Sequence, residues 1–270
     1  MIGILYSSID IASKNAIEYM IREHGLEEKR RNGLECFTDG KVLAYRVGHE
    51  LVHTDVADTL GLDIVCFASR HRSAAGRAAF TTHSLGNWSS EARFGGMPKQ
   101  LATSAPAAML SVMEGFSKSG IGIEKTYEAT HHGPLTKIPA LFAEFGGNED
   151  TIQSVEVARN FAEGLYSTIS RINEGKIDYA KAVIGVGGTH YPEKFSRLAM
   201  EKRYAFGHIM PRHAIINNDG TDNIEMLGQA VERSNAKVDT AVIEWKSMNA
   251  ATRDKVIKRI DEMGIGYERV

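Results

Sequence analysis

Residues 222–264, "DNIEMLGQAVERSNAKVDTAVIEWKSMNAATRDKVIKRIDEMG", decide the fold class. Helical apolar spacing in "DNIEMLGQAVERSNA" gives way to the strand-length apolar run "VDTAVIEW". Helical spacing then returns in "NAATRDKVIKRIDEMG". A strand with a helix on either side is the unit of an α/β sheet whose strands run parallel. Working outward, the cycle recurs in the buried strand "AKAVIGVGG" (180–188), the short helix "PEKFSRLAMEK" (192–202) and "YAFGHIMPRHAII" (204–216), a strand broken by Pro211.

At the other end, "MIGILYSS" (1–8) reads as a strand, and Ser-Ser-Ile-Asp then caps a helix that stops at Gly25. Further strands are expected at 41–48, 62–69, 123–134 and 138–146. A helix is expected at 105–120, with Pro106 in its first turn, and one long helix over 148–175. The expectation is an α/β fold, a mostly parallel sheet flanked by helices, in one compact catalytic unit spanning 1–270. If the unit has two lobes, they divide near 146–150.

Bulk properties narrow the function. At 43% hydrophobic and 24% charged residues the composition is that of an ordinary globular protein. No apolar run approaches the ~20 residues that span a bilayer, and the first residues carry no signal-peptide pattern. Two cysteines that form no CxxC pair read as buried reduced thiols, which points to the cytoplasm. A net charge of −2 argues against a phosphate-coated surface but leaves room for a local basic patch. GxSxG and P-loop motifs are absent, and "GVGGTH" departs from the dinucleotide fingerprint.

The chemistry concentrates in histidines. "EATHHGPLTKIPALFAEFGG" (128–147) sets His131 and His132 side by side before Gly133-Pro134, with Glu144 in the next apolar run. Adjacent side chains on a regular strand face opposite ways, so only a turn at Gly133-Pro134 brings both into one pocket. Imidazole suits zinc, and Glu144 could complete the shell or take a proton from bound water. His71, His83, His190 and His208 also fall near strand ends, where sites of such sheets form. Between Arg70 and Lys99 there are five cations (Arg70, Arg72, Arg77, Arg93 and Lys99) against one acid, Glu91. That stretch reads as a phosphate-gripping loop, with Trp88 available to stack on a base.

Taken in order, "ASRHRSAAGRAAFTTHSLGNW", "EATHHGP", "PALFAEFGG", "GVGGTHYPEKFSRLAMEKRYAFGHIMPRHA" and "IEWKSM" resemble the successive blocks of archaeal and plant D-aminoacyl-tRNA deacylases. The resemblance runs from about Ser69 to the C-terminus. It implies a body similar to peptidyl-tRNA hydrolases and nucleoside phosphorylases, and zinc-dependent cleavage of the ester joining a D-amino acid to the terminal ribose of tRNA. Carried over, His71, His83, His131 and His132 are the candidate metal ligands, and His132, Glu144, His190 and His208 the candidate catalytic groups. Arg70, Arg72, Arg77, Asn87, Trp88, Arg93 and Lys99 would contact tRNA. Asn87 and the backbone amides of "GVGG" would hold the ribose or oxyanion. A monomer is expected. The rival readings are a metal-independent hydrolase of similar fold acting on peptidyl-tRNA or a nucleoside, and a tRNA-binding protein without turnover.

Overall fold

The computed structural model describes residues 1–73, 75–217 and 220–270. The first half of the chain runs through β1 (Ile2–Ser7), α1 (Ile11–His24), β2 (Glu27–Arg31), β3 (Leu34–Thr38), β4 (Leu43–Val47), β5 (Ile64–Arg72) and β6 (Ala79–His83). It continues with the two-residue strands β7 (Gly86–Asn87) and β8 (Gln100–Leu101), then α2 (Pro106–Ser117), β9 (Glu124–Tyr127) and β10 (Ala140–Gly147). Helices α3 (Glu149–Gln153) and α4 (Val155–Asn173) follow. The second half holds β11 (Lys181–Val186), α5 (Glu193–Lys202), β12 (Tyr204–Met210), α6 (Arg212–Ile215), α7 (Met226–Glu232), β13 (Val238–Ile243), α8 (Ala250–Glu262) and β14 (Gly266–Arg269).

The α/β expectation holds, but the strands divide into two principal sheets. The larger has the order β2-β3-β4-β1-β5-β10-β6-β9, parallel from β4 to β10 and antiparallel in the β2-β3-β4 edge and at β10-β6. The smaller, β12-β11-β13-β14, is parallel throughout. The chain passes from one sheet to the other after α4, which packs back on α1 and α2.

Local chemistry explains the elements. Asp10 caps α1 by accepting from Ala12 N at 3.1 Å, and Gly25 ends that helix at φ +63°. The run over 148–175 is two helices: Ser154 stands between them in extended backbone, and its hydroxyl accepts from Val157 N. Pro211 ends β12 and opens the single turn of α6.

Alternation along the strands sorts the large sheet's two faces. Ile4, Cys66, Ala68, Leu141 and Ala143 pack under α1, α2 and α4. Leu5, Phe67 and Phe142 face the other way, against Leu51, Leu60 and Leu62. Both cysteines are free and buried. Among the described residues no helix is long and apolar enough to cross a membrane.

Candidate active site

Strand register delivers the first side chains. Ser69 and His71 on β5 lie on the same face as Phe67, and Glu144 on β10 on the same face as Phe142. Glu144 is beside Ser69, and His83 at the end of β6 is beside Phe142. The carboxyl ends of the parallel strands β1 and β5 open here, as the rule for such sheets requires.

The segment after β9 supplies the rest, because it threads between the two sheets. Glu128 N bonds to Thr82 O, Ala129 N to His190 O and Thr130 N to Ile209 O. His132 sits at φ +44°, a left-handed conformation in which His is among the more tolerated side chains. That departure from strand geometry turns both twin rings toward His83. The centroids of His83, His131 and His132 lie 4.2–4.9 Å apart.

The three rings share a second trait. Nδ1 of His83 lies 3.1 Å from Ser84 O, that of His131 2.9 Å from Ala129 O, and that of His132 2.8 Å from Gly133 O. A carbonyl only accepts, so each Nδ1 carries the proton and each Nε2 keeps its lone pair. His83 Nε2 is buried without a hydrogen-bond partner. Burial holds all three imidazoles below the usual histidine range, His83 at about 3, with His132's charge adding to the effect on His83. Neutral rings with anchored Nδ1 atoms, grouped closely enough to share one ion, fit zinc.

Beside them lies a carboxylate pair. Glu128 Oε2 is 2.8 Å from His190 Nε2 and 3.7 Å from His131 Nε2, and its Oε1 is 3.1 Å from His71 Nδ1. Glu144 Oε2 is 3.9 Å from His71 Nδ1 and 4.0 Å from His83 Nε2. Burial opposes a charge on His71, but the two carboxylates outweigh it and push its pKa up to about 10. Glu128 is held well below the carboxylate range, because its hydrogen bond to His190 and its pairing with His71 overcome burial. Glu144 rises to about 7: burial dominates, and the neighbouring Glu128 charge adds to it. A buried carboxyl with a pKa near neutrality is suited to moving protons at the pH of most cells.

All of this cluster except the fully buried His83 lines a cavity of about 570 Å³, together with Ile9, Asp10, Leu51, Val52, Arg70, Arg72 and Phe94. A smaller cavity of about 180 Å³, with Asn87, Trp88, Thr130 and His213 in its wall, is lined by the same His131, His132 and His190.

A family model for D-aminoacyl-tRNA deacylases matches residues 59–268. The chain belongs to the D-aminoacyl-tRNA deacylase family. Relatives named D-aminoacyl-tRNA deacylase include one from Thermococcus onnurineus, 32% identical with 98% of each chain covered. Another, from Ignicoccus hospitalis, is 32% identical with 98% of this chain and 97% of the relative covered. A crystal structure described as a conserved protein of unknown function aligns with a TM-score of 0.87 and 28% identity, covering 100% of this chain and 95% of that one. Membership bears out the expectation of a deacylase, an enzyme acting on ester bonds.

Within this deacylase-family site the structure gathers His71, His83, His131, His132, Glu144 and His190 and corrects several other expectations. His71 pairs with Glu128 and Glu144, which push its pKa up to about 10 when no metal is bound, and these three groups lie close enough to share an ion of their own, separate from the His83, His131 and His132 group. His208 is fully buried and spent on structure: Nδ1 lies 3.2 Å from Thr130 Oγ1 and Nε2 3.0 Å from Ala102 O. Trp88 borders the small cavity but is 5% exposed, with its Nε1–H donating to Thr130 O at 2.9 Å, and it does not line the large cavity. The Arg70–Lys99 stretch is not one loop, since it contains β6 and β7. Arg77 is paired to Glu124 and Glu193, and Arg93 to Glu91, while Arg70 and Arg72 alone of the five cations line the large cavity. Lys99 lies off that wall, with its carbonyl accepting from Gln229. Asn87 borders the small cavity but gives its amide to Gly95 O at 2.9 Å. The Gly187 and Gly188 amides are taken by Met210 O and Ser247 Oγ, which rules them out as oxyanion donors in this conformation. Sequence reading missed Glu128, although it stands three residues before His131 in the segment already singled out.

Proposed function

We propose that this chain is a zinc-dependent hydrolase that cleaves the ester between a D-amino acid and the terminal ribose of tRNA. One observation carries the reading: three buried imidazoles, each fixed through Nδ1 to a backbone carbonyl, gather beside a carboxyl whose pKa is near 7, in a chain of the deacylase family.

His83, His131 and His132 would hold the ion. Bound there, zinc supplies Lewis acidity and lowers the pKa of a coordinated water to roughly 7. Glu144 takes the proton from the attacking water, because a carboxyl near neutrality is available as a base without being irreversibly charged. His71, as imidazolium, balances the two carboxylates so that both can sit in a buried site. Glu128 orients His190 through the 2.8 Å contact, and His190 hands a proton to the departing ribose oxygen. Arg70 and Arg72, at the end of β5, take backbone phosphate near the acceptor end. Chirality is judged by shape, the walls around the histidines excluding the L-ester. The protein acts as a monomer in the cytoplasm.

The test is release of D-tyrosine against L-tyrosine from charged tRNA, with zinc and with a chelator. Release of the D-ester alone, lost on chelation and restored by zinc, is expected. Turnover that ignores the chelator would point to a metal-independent hydrolase, and survival of both esters with zinc present removes the deacylase reading.

A further inference from the structure

Trp88, 5% exposed, borders the small cavity and leaves the large one without the aromatic platform expected there, and the structure offers another. Phe94 lines the large cavity yet is 68% exposed, and Ile9, from the turn between β1 and α1, lines it at 60% exposure. Two large apolar side chains from separate elements therefore stand in water at the wall of the cavity that holds the histidine cluster. A single exposed apolar residue needs no explanation, whereas two sharing one site wall mark a surface that a ligand covers.

The backbone under Phe94 is held firmly. Its carbonyl accepts from Gly133 N at 3.0 Å, directly after His132. The next two residues, Gly95 and Gly96, have φ of +77° and +75°. They lie so close to their neighbours that a Cβ on Gly95 would fall 1.8 Å from Val52 O, and one on Gly133 2.1 Å from Gly96 N. The exposed ring thus sits on a fixed turn bonded to the segment that carries His131 and His132. Arg70 and Arg72 line the same cavity, and among the described residues neither guanidinium has a carboxylate partner.

We propose that Phe94 is the stacking platform for the 3′-terminal nucleobase of the tRNA, with Ile9 as the apolar contact sharing that wall. The inference rests on the deacylase reading and adds the substrate part that this wall receives. A terminal nucleotide carries its ester, its base and its 5′-phosphate on one ribose. With the ester at the histidines, base and phosphate meet an exposed aromatic and two unpaired arginines on the wall of one cavity. An amino-acid side chain would bring no phosphate to those arginines. Stacking tolerates any base, because every base has a π-face, so the platform supplies position and leaves identity to other contacts.

The experiment titrates adenosine 5′-monophosphate onto the full-length protein by calorimetry, for wild type, Phe94→Ala and Phe94→Tyr. Wild type should bind saturably, Phe94→Ala about tenfold more weakly, and Phe94→Tyr close to wild type. Melting temperatures should match, since the ring lies in solvent. With D-tyrosyl-tRNA, KM of Phe94→Ala should rise about tenfold and kcat should change far less. The proposal is overturned if wild type shows no saturable binding of the nucleotide or if Phe94→Ala binds it as tightly. It is also overturned if the substitution weakens free D-tyrosine instead. Nucleotide binding is read without turnover, so a wild type that releases D-tyrosine while Phe94→Ala binds the nucleotide normally defeats this proposal alone. A wild type that releases neither ester defeats the reading beneath it.

Discussion

His208 looks catalytic in the sequence and structural in the fold, and its replacement separates the two. The fully buried imidazole closes a chain of hydrogen bonds. Ile209 N donates to Thr130 Oγ1, that hydroxyl donates to His208 Nδ1, and His208 Nε2–H reaches Ala102 O and Arg233 O. Arg233 O also accepts from Ser104 N, so removing the ring orphans the Ala102 carbonyl in particular. A vacated ring-sized space plus one unpaired buried carbonyl make His208→Ala cost about 4 kcal/mol. For a chain of this length that lowers Tm by about 10 °C.

A second variant reads the titration of the same group. Burial lowers the His208 pKa from the ordinary 6.5 to about 4, so the unfolded chain takes up this proton before the folded one does. Its stabilising effect is complete above pH 6.5 and is lost as pH falls from 6.5 toward 4. Between pH 7.5 and pH 4.5 that loss is about 2.5 kcal/mol. His208→Gln keeps a donor and removes the titration, so urea melts of the metal-free protein should show wild type losing about 2.5 kcal/mol more than the variant over that interval. kcat per folded molecule should persist in both variants. A His208→Gln protein with an unchanged Tm and kcat reduced a hundredfold would refute this account and return His208 to the chemistry.

Other outcomes test the site and its frame. Zinc at a hundredfold excess over its dissociation constant should stabilise the chelated protein by about 2.7 kcal/mol, read as a rise in Tm; an unmoved Tm removes the three-histidine site. His132→Ala should abolish turnover and that zinc shift together while leaving the circular dichroism spectrum intact. Trp88→Phe deprives Thr130 O of its indole donor and should cost about 1–3 kcal/mol in urea melts, with activity retained in the folded fraction. Replacing both Arg70 and Arg72 by Ala should flatten the salt dependence of tRNA binding by about two phosphate contacts; an unchanged slope places those contacts elsewhere.

How much was legible follows from the kind of signal each element carries. Helix α1 announces itself through apolar spacing, Asp10 and Gly25, all local features, and the pairing of the twin histidines with a turn was equally local. The hairpin of β2 and β3 was missed because "EEKRR" lies wholly in solvent and so shows no apolar alternation. β6 is hidden in the sequence because "AFTTH" shows no apolar alternation, yet every residue in it is buried between β10 and β9. Glu128 was overlooked because its importance is made by His190 and His71, which lie 62 and 57 residues away in the chain and reach it only through the packing of the two sheets. His208 misled because a histidine near a strand end looks alike whether it faces a cavity or the core.

The division of the site between the two sheets has a consequence for folding. His71, His83 and Glu144 belong to the first sheet, but His190 follows β11, and Ala129 is tied to His190 O and Thr130 to Ile209 O. β11 is an inner strand, paired with β12 on one side and β13 on the other. The first sheet folded alone therefore lacks a finished site until the second has formed and docked. Competence to break an aminoacyl ester belongs to the docked pair of sheets and to neither by itself.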